Sequence, residues 1–243
     1  MKKQAILLAG GVNYQYSYTR YANDLGFAYK VLTECCNYSS EDIKVLHSFG
    51  KPIKYDGIMI DTCMASKENL RDVLSKSIFQ LEKEDEFVLI VSNHGDNDLI
   101  NLWDQKYILF DELADVLKQI KAKKIIVLGE CYAGNFIRDD IENCCILAGN
   151  EKDRVTYVHS QNRDYDEFLY NLLSFLYGKY PDTKLKISKA EVNIERAFEF
   201  AVKKDAYNPA NPHYQPRYNK RGEVWLEIPQ MFTNIADLSE VLK

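Results

Sequence analysis

Residues 87–95, FVLIVSNHG, and residues 125–134, IIVLGECYAG, decide how this chain folds. Each is a continuous apolar run that stops abruptly at small and polar residues. A strand apolar at successive positions is buried on both faces, as in the interior of a parallel sheet. Parallel neighbours need a crossover connection, usually a helix. Glu112–Ala122 supplies one, with Asp111 placed to cap its first turn. A strand–helix–strand crossover is right-handed, so both strands point the same way and end at the same edge of the sheet.

The pattern continues in both directions. Gln4–Ala9 and Ile43–His47 read as strands, with Gly57–Thr62 as a further candidate. Asn23–Glu34 and Ser66–Glu84 carry apolar residues at helical spacing. Beyond Cys131, Cys145–Ala148 and Val155–His159 read as strands and Phe168–Tyr180 as a helix. Ser188 and Glu191 have capping-box spacing and open a helix to about Lys204. Glu223–Ile228 reads as a last strand. The alternation predicts an α/β three-layer sandwich with a mostly parallel central sheet and helices on both faces. No linker interrupts it, so residues 1–243 are read as one domain.

Composition narrows the function. At 46% hydrophobic and 28% charged, with net charge −5, the chain has the make-up of a soluble globular protein. No Lys/Arg cluster marks a nucleic-acid surface, and no stretch approaches the ~20 apolar residues of a membrane span. The opening MKKQAILLAGG has too short an apolar run for a signal peptide and reads as a buried strand. Six cysteines, none in a CxxC pair, argue against structural zinc and against a secreted disulfide framework. Reduced thiols and a cytoplasmic location are the expectation.

In a sheet of this kind chemistry collects beyond the carboxyl ends of the strands. There the sequence puts His94-Gly95 after one buried strand and Cys131-Tyr132-Ala133-Gly134 after the next. Either residue alone is commonplace. Together, at adjacent strand ends, they are the two groups of nucleophilic cysteine catalysis, an imidazole to manage the proton and a thiol to attack. The helix-like segment Asn135–Asp139 would favour the thiolate through its N-terminus. The N–H groups of Gly95 and Cys131 are candidates for an oxyanion hole. Ser92 and Asp96 flank His94, where they serve either to orient the imidazole or to cap the backbone locally. Trp103 reads as packing behind the same loop. His47, His159 and His213 have no motif around them.

These two motifs resemble those of the caspase-like cysteine peptidases, and the nearest likeness is to the legumain, or peptidase C13, type. NHGDNDLINLWDQ and IIVLGECYAGNF carry the resemblance, supported by LLAGGVNYQYSYTRYANDLGFAY near the start. It implies a caspase-type fold, no cofactor or metal, and cleavage of a protein or peptide substrate after a defined P1 residue. It also implies a substrate edge strand at Val155–Ser160 and leaves room for an activating partner protein. The resemblance implies an arginine of the Tyr-rich loop in the P1 pocket. Aligning on Tyr18 puts Thr19 there, counting back from Asp24 puts Arg20 there, and Arg20 is favoured as the only arginine in the segment. Asp166 falls where the family has a pocket aspartate. That pair suits Asn or Asp at P1. Tyr132 occupies a usually acidic position beside the cysteine and is a further substrate-binding candidate. A non-catalytic interaction module and a transamidase are the competing readings.

Overall fold

The computed structural model describes residues 1–157, 164–188 and 192–242. In chain order the strands and helices are β1 Lys3–Ala9, α1 Thr19–Cys35, β2 Ile43–His47, β3 Ile53–Tyr55, β4 Ile58–Ile60 and α2 Lys67–Gln80. Then follow β5 Glu86–Ser92, β6 Gly95–Asp96, β7 Leu99–Leu102, β8 Lys106–Leu109, α3 Phe110–Leu117, β9 Lys123–Leu128 and β10 Cys144–Ala148. The last are α4 Glu167–Tyr177, α5 Ile194–Lys204, β11 Arg217–Tyr218, β12 Val224–Trp225 and β13 Gln230–Thr233.

One sheet organises them, in the order β13-β10-β9-β5-β1-β2. All pairings in it are parallel except β10 with β13. The buried runs form this sheet for the period-two reason. In β1, Ala5, Leu7 and Ala9 join one core with α1, α4 and α5, while Ile6 and Leu8 join the other with α2 and α3. In β5, Val88 and Ile90 face the first core and Phe87, Leu89 and Val91 the second. β9 and β10 divide in the same way, so helices cover both faces as the sequence predicts.

Several boundaries differ from expectation. α1 begins at Thr19, because Tyr18 in extended backbone starts it without a side-chain cap. α3 begins at Phe110, inside which Asp111 is a first-turn residue rather than the cap. Ile58–Ile60 pairs with Ile53–Tyr55 in a separate hairpin instead of joining the sheet. α5 is capped by Asn193, whose side chain accepts from Arg196 N–H, while Glu191 lies outside the described residues. Of Glu223–Ile228 only Val224–Trp225 is strand, paired with β11. The strand that closes the sheet is β13, five residues further on. Val155–Tyr157 forms no strand, and the rest of that expected strand, with His159, lies outside the described residues.

Candidate active site

The carboxyl ends of β5 and β9, adjacent in the sheet, deliver His94 and Cys131 to one place. Between them stands Gly95. A Cβ there would lie 2.3 Å from the Cys131 carbonyl oxygen and 2.7 Å from Glu130 Cγ. Only a residue without a side chain lets the histidine loop lie against the cysteine loop. β6–β8, a small antiparallel sheet, holds the histidine loop from the far side, and Asn101 N–H donates to the His94 carbonyl at 3.0 Å. Asn93 fixes its base, accepting from the N–H groups of Gly11 and His94 and donating to the Asn101 carbonyl.

The imidazole sits in an aromatic box. Tyr16, Tyr18 and Tyr21 present rings roughly perpendicular to it, with centroids 5.4 to 5.9 Å away. The Tyr16 backbone hydrogen-bonds the ring, and Nε2 is buried without a partner. Burial, with the nearby Arg20 charge, holds the imidazole below its usual pKa. Ser92 does not orient it: its hydroxyl donates to Asp24. Asp96 accepts from Asn97 N–H, a local cap. Trp103 is buried and packs against Tyr14 and Phe49.

Cys131 is half-buried, and its sulfur is 3.8 Å from Thr156 Oγ1. The Thr156 backbone also hydrogen-bonds it, and Thr156 Oγ1 donates to the Gly129 carbonyl at 3.3 Å. Burial pushes the Cys131 thiol up, against the pull of Thr156 and Arg20. The expected helix behind the cysteine is a single 3-10 turn, Ala133–Phe136, too short to supply an appreciable dipole. Tyr132 links cysteine to turn. It adopts φ 63°, and its N–H donates to the Arg154 carbonyl at 2.6 Å. A thiol above its ordinary pKa beside an imidazole below its own makes an uncharged resting pair.

Near the cysteine lies a buried cluster of polar side chains. Arg20, in the first turn of α1, is nearly buried, and its guanidinium lies over the Tyr21 ring at 4.5 Å. Nη2 donates to Tyr21 Oη, while Nε and Nη1 have no hydrogen-bond partner. Asp166 Oδ2 is 4.0 Å from Nη1, an ion pair without a hydrogen bond. Asp166 itself caps α4, accepting from Leu169 N–H at 2.9 Å. Its own N–H donates to Asp24, one turn beyond Arg20 on α1. Glu130 is fully buried, and beyond its own backbone N–H its carboxyl group meets no donor among the described residues. Burial pushes its pKa up to about 8. Burial raises Asp24 and Asp166, which face each other, while the Arg20 charge beside them pulls both down.

The structure therefore gathers Arg20, His94, Gly95, Cys131, Tyr132 and Asp166 at one sheet edge. It adds Tyr16, Asp24, Glu130 and Thr156, which sequence reasoning did not single out. Asp24 carried a signal, since it stands four residues after Arg20 and shares its helix face. Glu130 carried one too, a carboxylate next to the candidate nucleophile. Thr156 and Tyr16 act through contacts that only the tertiary fold creates.

A sheet of this order, with histidine and cysteine beyond adjacent central strands, is that of the caspase-type cysteine peptidases. The model described as the Peptidase C13 family matches residues 50–215, more than half of the chain. The chain belongs to this family of legumain-like, caspase-clan cysteine peptidases. No curated protein matches it. His94, Cys131 and Asp166 fall inside the matched span, whereas Arg20 and Asp24 precede it. Among the described residues no helix is long and apolar enough to cross a membrane.

Proposed function

We propose that the protein is a cysteine endopeptidase that cleaves a protein substrate after Asn or Asp, using Cys131 and His94 through an acyl-enzyme. The observation that carries this reading is the Arg20 guanidinium, buried beside Cys131 with two nitrogens lacking acceptors. A buried donor left unsatisfied is costly, and a substrate side-chain oxygen entering the pocket would relieve it. Asp166, at 4.0 Å, offsets the Arg20 charge. That balance suits the neutral amide of Asn, with Asp as the alternative.

His94 takes the thiol proton as Cys131 attacks the scissile carbonyl, then gives it to the leaving amine. The Gly95 and Cys131 N–H groups receive the developing oxyanion. Water, activated by His94, releases the acyl group. The free thiols of Cys63, Cys131, Cys144 and Cys145 suit a reducing cytoplasm.

The test is a fluorogenic peptide series varied at P1, run on the wild type, Cys131→Ala and His94→Ala. Loss of about 10³-fold or more in both variants, with an Asn or Asp optimum, is the expected result. A Lys or Arg optimum refutes the pocket assignment. Absence of turnover, together with failure of a peptidyl electrophile to label Cys131, refutes the enzymatic reading.

A further inference from the structure

The aromatic box around His94 does not end at Tyr16. Two residues earlier, Tyr14 is 73% exposed, and its ring packs on Phe49 at 5.1 Å and on Trp103 at 5.0 Å. Phe49 is 44% exposed and bridges to Met64, itself 40% exposed. Tyr16 and Tyr18 are exposed to a similar degree on the rim between this group and His94. Scattered exposed apolar residues are ordinary, but a contiguous group beside a reactive site marks an interaction surface.

The surface is also rigid. Gln105 N–H donates to the Val12 carbonyl and Trp103 N–H to the Ala65 carbonyl. Gly50 packs against the Met64 backbone. Three chain segments are thus fixed together before anything binds, which lowers the ordering cost of binding.

Its position relative to the dyad identifies what it would meet. Across the carboxyl edge of the sheet, Thr156 follows β10, Cys131 follows β9 and His94 follows β5; the Tyr14–Tyr18 loop follows β1 and Phe49 follows β2. Thr156 flanks Cys131 on one side and His94 lies on the other. The leaving amine must be beside His94 to receive its proton, so the chain that continues from that amine runs toward β1 and β2. Resting on the peptidase reading above, we infer that Tyr14, Phe49 and Met64, backed by the buried Trp103, form an apolar subsite for the substrate segment C-terminal to the scissile bond. It selects substrates carrying a large aliphatic or aromatic side chain a few residues beyond the cleaved bond.

The test uses internally quenched peptides with one fixed acyl half and either Leu/Phe or Ser/Gly residues in the leaving half. The ratio of kcat/KM between the two should be about tenfold or more in the wild type, and should collapse toward one in Tyr14→Ala and Phe49→Ala. A wild-type ratio near one, or a ratio that both variants keep, overturns the assignment. A second arm needs no turnover: a dye-labelled Leu/Phe peptide with a free amino terminus is titrated into Cys131→Ala and followed by anisotropy. Binding that weakens about tenfold when Tyr14→Ala is added supports the surface even if no peptide is cleaved. Absence of binding overturns it, as does sedimentation showing that this face joins two copies of the chain.

Discussion

At the scale of single residues, the central feature is that the environments of Cys131 and His94 oppose charge separation. Burial raises the thiol and lowers the imidazole, and Arg20 beside the imidazole adds to the second effect. Cysteine nucleophiles at helix N-termini or beside imidazolium are thiolates well below neutrality. Here neither device is present, since the turn after Cys131 is four residues long and no Cys131–His94 hydrogen bond forms in the resting state. In the mechanism proposed above, substrate binding brings the imidazole and thiol into contact for the proton to move. The consequence is measurable without a substrate. Alkylation of Cys131 by iodoacetamide, resolved by mass spectrometry from the other thiols, should rise with an apparent pKa above the ordinary ~8.5. A plateau reached by pH 6 would mean a resting thiolate and would refute the uncharged pair.

At the scale of elements, α4 does two things through one residue. Asp166 caps the helix with Oδ1 and faces Arg20 with Oδ2. Asp166→Asn keeps a cap and removes the charge; Asp166→Ala removes both. In denaturant unfolding the Ala variant should be less stable than the Asn variant by about 1 kcal/mol. Cleavage after Asp should gain on cleavage after Asn in both, because Arg20 is left without its counter-charge. Equal stability of the two variants would show that the cap contributes little, and unchanged selectivity would remove Asp166 from the pocket. The elements that carry this site were legible where local pattern and tertiary role agree. β5 is apolar from Phe87 to Val91 and β9 from Ile125 to Leu128 because these stretches are buried on both faces, so their ends, with His94 and Cys131, could be found. β13 was not legible, because QMFT is short, half-buried and gains its strand identity from pairing with β10. The β6–β8 sheet was hidden for the same reason. The start of α1 was displaced because Tyr18 opens the helix without a capping side chain, and this also hid the shared face of Arg20 and Asp24.

At the scale of the whole molecule, buried carboxyl groups outnumber buried cations among the described residues. Glu130 stands at about 8 through burial, and burial likewise raises Asp205 and Glu227, which no cation faces among the described residues. The last two face each other behind the Thr156 segment, where Glu227 accepts the Tyr157 N–H. For a carboxyl whose folded pKa exceeds its unfolded value near 4.3, the folded chain keeps a proton that the unfolded chain has lost. Stability is then greatest at low pH and falls as pH rises through the folded value. His47 and His94, lowered by burial, act oppositely, but their effect is complete once the unfolded histidines are neutral above about 6.5. Between pH 6.5 and 8.5 the carboxyls dominate, and Glu130 alone accounts for a decline of about 2 kcal/mol. Thermal unfolding should therefore occur several degrees lower at pH 8.5 than at pH 6.5. Glu130→Gln, which cannot ionise, should flatten the profile over that window. A wild-type profile that is level or rising there would mean that these carboxyls meet partners or water that neutralise the cost of burying their charge.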